Sequence, residues 1–77
     1  MSDDPQKQAL IALAHFKMPF GKYKGWYVTE LPEGYMVWFR QQGFPNGKLG
    51  DMLKSTMEIK ENGLEEIIRT IRREFPQ

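Results

Sequence analysis

Apolar positions recur at helical spacing in four stretches, and glycine or proline interrupts the pattern between them. The first stretch spans residues 5–16. Asp4 caps it and Pro5 takes the first helical position, where its missing N–H costs nothing. Leu10, Leu13 and Ala14 mark its buried face, and Ala9, Ile11 and Ala12 make it apolar almost all round. Such a helix is either deeply packed or offers a face to a partner. The second helix spans 32–42 and carries Tyr35, Trp38 and Phe39 at i, i+3 and i+4, with Gly43 as its stop. Leu31 is a poor cap and Gly34 weakens its first turn. The third spans 47–61, with Asn46 as the expected cap, a stripe of Leu49, Met52, Leu53 and Met57, and Asn62-Gly63 at its end. The fourth spans 64–75 with the cleanest period: Leu64, Ile67, Ile68, Ile71 and Phe75. Its outer face holds a Glu65–Arg69 i,i+4 pair, with Arg72 and Arg73 beyond.

Between the first two helices the pattern changes. Residues 17–20 read as extended, with Pro19 confined to an edge or strand end because it cannot donate to a ladder. Gly21 to Gly25 form a connection with glycine at both ends. Trp26-Tyr27-Val28 has the aromatic and β-branched character of a short strand, and 29–32 turn. The predicted fold class is α+β: one domain over 1–77, in the order helix, β-hairpin, three helices. Two short strands are not stable alone, so the helices must cover them.

Composition narrows the function classes. A chain of 77 residues holds one modest core, and aromatics at 13% are the large side chains such a core depends on. The absence of cysteine excludes a disulfide framework, a thiolate zinc site and thiol catalysis, and it favours a reducing cytoplasm. The acidic start and the short apolar run at 9–14 match neither a signal peptide nor a membrane span. The net charge of +1 is uneven. Residues 17–48 carry Lys17, Lys22, Lys24, Arg40 and Lys48 against Glu30 and Glu33, which makes the middle of the chain its basic part.

The principal candidate for binding chemistry is Phe20-Gly21-Lys22-Tyr23-Lys24-Gly25-Trp26. Glycines permit positive φ and close approach of backbone to a ligand. Turn amides form anion-binding concavities, Lys22 and Lys24 can meet phosphates, and Tyr23 or Trp26 can stack on a base. The plainer reading is architectural: glycines for the turn, lysines for a soluble edge, aromatics inward. The serine or threonine ending and the spacing of a P-loop are absent. A second Gly-Lys element, Asn46-Gly47-Lys48-Leu49-Gly50, falls at a helix N-terminus. That is an anion-friendly place, although an ordinary helix start explains it too. The single histidine, His15, has no spaced partner for a metal site and reads as a helix-end residue facing the dipole. Adjacent carboxylates (Asp3-Asp4, Glu65-Glu66) point apart on a helix, and Ser2 and Ser55 have no base beside them in the pattern. Arg69, Arg72 and Arg73, interleaved with Glu65, Glu66 and Glu74, read as a solvated face.

Together the motifs Met18-Pro19-Phe20-Gly21-Lys22-Tyr23-Lys24-Gly25, Leu31-Pro32-x-x-Tyr35-x-x-Trp38-Phe39, Phe44-Pro45-x-Gly47-Lys48-Leu49-Gly50 and Glu58-Ile59-Lys60-x-Asn62-Gly63-Leu64 resemble a bacterial family of small domains. That family is labelled putative quorum-sensing-regulated virulence factor. The resemblance covers residues 17–68 and leaves the first helix outside. The label describes control of expression and implies no molecular activity. A looser likeness ties Phe20, Gly21, Lys22, Gly25, Tyr35 and Trp38 to tails of some bacterial DNA exonucleases. It implies a place near nucleic acid and no catalysis, because the acidic metal-binding motifs of the exonuclease domain are missing.

The expectation is therefore a non-enzymatic binding module without cofactor or metal. Gly21, Lys22, Tyr23, Lys24, Gly25 and Lys48 are its candidate contacts to nucleic acid or phosphate. The alternative is a protein-interaction adaptor, monomeric or a homodimer through the apolar N-terminal helix. Hairpin substitutions should damage the first function, and Leu10 or Ile11 to Glu the second.

Overall fold

A computed structural model describes residues 4–77. Ser2 and Asp3 of the motifs above lie outside the described residues. Four helices form: α1 Pro5–His15, α2 Glu33–Gln42, α3 Lys48–Glu61 and α4 Glu65–Glu74. A short 3-10 turn, Val28–Glu30, precedes α2. The Asp4 side chain accepts from the Gln6 N–H at 3.0 Å, as its position before Pro5 predicts. Gly43 ends α2, its N–H donating to the Arg40 carbonyl. The cap expected at Asn46 does not form, and Gly47 precedes α3 without any side-chain cap.

No strand or sheet forms among the described residues, so the α+β expectation with a β-hairpin is wrong and the chain is all-helical. The physical reason lies at both ends of the segment. Met18 N–H donates to the Trp26 carbonyl at 2.8 Å and Val28 N–H to the Phe16 carbonyl at 3.0 Å, flanking one antiparallel bridge between Lys17 and Tyr27. The ladder goes no further because the Trp26 N–H turns to the Tyr23 carbonyl and the Met18 carbonyl is taken by the Gly25 N–H instead. At the other end Val28 curls into the 3-10 turn, where Val28, Thr29 and Leu31 are fully buried. The segment is a closed loop, not a pair of strands.

That 3-10 turn is the centre of the molecule. It touches α1, α3 and α4, while α1 packs chiefly on α4. The core unites Leu13 and Ala14 of α1, Met18, Val28, Leu31, Met36 of α2, Leu53, Met57 and Ile59 of α3, and Ile68 of α4. Methionines supply three of these, and their flexible thioether chains suit a small core of irregular shape. The stripe predicted for α4 is only half used. Ile68 is buried and Ile71 partly so, but Ile67 is 53% exposed, and Leu64 and Phe75 are also open to solvent.

Of the α4 arginines, Arg73 is solvated as expected, while Arg72 and Arg69 reach other elements. Arg72 is largely buried, donates through Nε to the Ala14 carbonyl at 2.7 Å and through Nη2 to Thr29 Oγ1 at 2.9 Å, and lies 3.7 Å over the Tyr27 ring. It ties α4 to the end of α1 and to the central turn. Arg69 makes a two-pronged contact with Glu30, Nε to Oε2 at 2.8 Å and Nη2 to Oε1 at 3.0 Å. Its remaining partner is Glu66, not the Glu65 that helical spacing favours. The Arg69 hydrogen bond holds the Glu30 carboxyl below its ordinary value. Partial burial opposes this, and the charges of Arg69 and Arg72 add to it.

Candidate functional site

The loop from Met18 to Val28 is shaped by its two glycines. Gly21 and Gly25 take φ of 83° and 89°, where a side chain is strained. Lys24 N–H returns to the Gly21 carbonyl and Trp26 N–H to the Tyr23 carbonyl, two consecutive tight turns. Gly25 N–H donates to the Met18 carbonyl at 2.9 Å and closes the loop. Lys22 and Lys24 are exposed at its tip, and neither has a carboxylate partner among the described residues.

The aromatic side chains of the loop continue onto α2. Tyr23 meets Trp26 edge-on at 4.9 Å and Tyr35 at 4.7 Å. Tyr35 lies nearly parallel to Trp38 at 5.9 Å and edge-on to Phe39. Phe39 then reaches Phe44. Tyr23, Tyr35, Phe39 and Phe44 lean on the core from the outside. Trp26 and Trp38, by contrast, are 48% and 51% exposed, and Phe20 is 52% exposed. The Lys22 ammonium lies 5.6 Å from the centre of the Tyr23 ring. Gly21, Lys22, Tyr23, Lys24, Gly25 and Trp26 thus form one surface with Tyr35 and Trp38. Trp38 shares a helix face with Tyr35 and Phe39, but that face does not carry the fully buried side chain of α2. That side chain is Met36, one position after Tyr35.

Lys48, the remaining predicted contact, stands elsewhere. Its ammonium lies over Phe16 at 5.7 Å, at the start of α3. The second Gly-Lys element has a structural explanation. Gly50 is buried, and a Cβ there would fall on the Pro45 carbonyl oxygen, 2.9 Å from its carbonyl carbon. The element is where the 44–47 connection crosses the first turn of α3. Arg40, counted among the cations of the middle segment, pairs with Glu61 at 3.5 Å.

Two other candidates are placed by the structure. His15 Nε2 donates to the Phe75 carbonyl at 2.6 Å, fastening the end of α1 to the end of α4. No group of three His, Asp or Glu able to hold a metal occurs among the described residues. A cleft of about 310 Å³ lies between α1 and α3, with Ala9, Leu10, Ala12, Leu13, Met52 and Ile59 along its walls and Asp51 and Glu58 at hand. None of the described helices is long and apolar enough to cross a membrane.

With this geometry in view, comparison with known proteins fixes the lineage. The family model described as putative quorum-sensing-regulated virulence factor matches residues 6–71. The chain belongs to this family. The match includes nearly all of α1, so the expectation that the first helix lies outside is corrected. The chain is also 45% identical over 69 residues to the uncharacterized protein YpeB of Escherichia coli K12, covering 88% of this chain and 96% of the relative. The YpeB protein of Escherichia coli O157:H7 matches to the same extent. No solved structure matches.

Proposed function

We propose that this chain is a non-enzymatic binding module that holds nucleic acid through the loop Gly21 to Trp26. The observation that carries the reading is the conjunction at that loop. Two lysines without a carboxylate partner among the described residues bracket Tyr23, and Trp26 stands half out of the surface within contact of it. Residues 17–28 contain three lysines and no carboxylate, so the field there attracts phosphate. Lysines position a sugar–phosphate backbone, while exposed aromatic faces receive bases. Lys48 is a peripheral contact in this reading, because it rests on Phe16 and not on the Tyr23 ring.

The test is a titration with duplex and single-stranded oligonucleotides over a range of salt. Affinity should fall as salt rises, and the double variant Lys22→Ala/Lys24→Ala should bind more weakly with a flatter salt dependence. Absence of binding at low salt would sink the proposal.

The α1–α3 cleft favours a second reading, self-association through the N-terminal helix, because Ala9 and Ala12 leave apolar surface open beside Leu10. Ile11→Glu is unsuitable as its probe, since Ile11 is buried and the charge would unfold the chain. Ala12→Glu is the clean variant. A concentration-dependent sedimentation coefficient that this substitution abolishes would support the reading.

A further inference from the structure

Resting on the nucleic-acid reading above, we infer that the ligand is an unpaired strand, with Trp38 of α2 as a second stacking position in addition to Trp26. The sequence places Trp38 twelve positions from Trp26 and on a different element. The fold joins them through Tyr23 and Tyr35, each ring in contact with the next at 4.7–5.9 Å. Trp38 lies 16° from parallel with Tyr35, so a base laid on Trp38 extends a stack that already exists. The rings brace one another, which lowers the cost of ordering them on binding.

The choice of an unpaired strand follows from what is exposed. Duplex presents phosphate rails with its base faces occupied by neighbouring pairs, so half-exposed indoles would find no partner there. An unpaired strand offers free base faces, which every nucleobase has, together with a phosphate chain for Lys22 and Lys24. A protein partner fits less well. Lysine is depleted from protein interfaces, yet here two lysines with no carboxylate partner among the described residues flank the central tyrosine.

The experiment is fluorescence anisotropy at low salt with labelled oligothymidylate, oligouridylate and a hairpin duplex of equal length, with inorganic polyphosphate as competitor. Both unpaired strands should bind about tenfold or more tightly than the duplex and quench tryptophan emission, since stacking adds to the electrostatic term. Trp38→Ala should weaken oligothymidylate binding by about fivefold to a hundredfold, and Trp38→Phe by less. Trp26→Ala serves as the second variant, and circular dichroism confirms that both remain folded. Equal affinity for duplex and single strands, with Trp38→Ala neutral and Lys22→Ala/Lys24→Ala defective, overturns the inference while leaving phosphate binding standing. Displacement by polyphosphate as effective as by oligothymidylate overturns it as well. No binding to any probe overturns both readings, and a sedimentation shift in Trp38→Ala would then assign the surface to a protein contact.

Discussion

Gly50→Ala should destabilise this protein, although the same change elsewhere in its helices should help. An alanine replacing glycine inside a helix ordinarily gains about 0.5–1 kcal/mol, because the glycine chain loses more freedom on folding. At Gly50 the added methyl has no space. It falls on the Pro45 carbonyl oxygen and 2.9 Å from the carbonyl carbon, where carbon–carbon contact is comfortable at about 3.5–4.0 Å. Both sides of the clash are backbone, so no rotamer relieves it, and either the 44–47 connection or α3 must move. Overpacking of this kind costs about 1–3 kcal/mol and occasionally more. The upper end applies where backbone must shift, leaving a net loss of about 2 kcal/mol after the helix gain. In a domain of this size that lowers Tm by about 8–16 °C.

Gly34→Ala is the matched control. Gly34 lies in the first turn of α2, is exposed, and has nothing within 4 Å of a built Cβ. It should raise stability by about 0.5–1 kcal/mol. Thermal melts by circular dichroism and urea titrations by tryptophan fluorescence measure both variants. A Gly50→Ala protein as stable as the parent would refute the close approach of Pro45, and with it the architectural account of the second Gly-Lys element.

The remaining predictions concern the charged groups that fasten the elements. Arg72→Ala should cost about 2–3 kcal/mol in urea unfolding, since it strands the Ala14 carbonyl and Thr29 Oγ1. Arg72→Lys should recover only part of this, lacking the planar fork and the stack on Tyr27. Glu30, whose folded-state value is depressed below 4.5, contributes stability that is present above that value and lost as pH falls through the lower one. Glu30→Gln should therefore lower the urea midpoint near neutrality and make its decline in acid shallower. Asp4→Ala removes the cap on Gln6 N–H and should cost about 1 kcal/mol, read as fraying of α1 by hydrogen exchange.

The four helices were legible to within a residue or two because their periods and stops are local properties: Asp4-Pro5, Gly43 and Asn62-Gly63 each act on the backbone next to them. The hairpin was misread because Trp26-Tyr27-Val28 has the composition of a strand. Its pairing is decided where the Gly25 N–H takes the Met18 carbonyl and by the burial of Val28 and Thr29, which depends on three helices arriving from elsewhere. Arg72 looked solvated for a similar reason: nothing nearby in sequence reveals that Ala14 and Thr29 wait for it. The loop carrying Lys22 and Lys24 was visible from its glycines. Trp38 was visible only as an apolar residue at helical spacing, which says that it faces something and not whether that is the core or solvent. Gly50 was seen as part of a motif, but the atom that requires it belongs to Pro45.

The exposure of Trp26 and Trp38 is itself an argument about selection of this surface. A core of this size is modest, and burying one more large apolar side chain adds about 1.5–3 kcal/mol. The fold has the means to do so, since Met36 and Phe39 on the same helix face inward. It instead leaves Phe20, Trp26 and Trp38 about half open. Trp38→Ser should accordingly lower stability only modestly, by about 1–2 kcal/mol, for the lost stack on Tyr35 and edge contact with Phe39. Met36→Ala should cost about 2–5 kcal/mol from a fully buried site. If Trp38→Ser proved as damaging as Met36→Ala, the indole would be a structural member, and the aromatic surface would lose its claim to be a binding site.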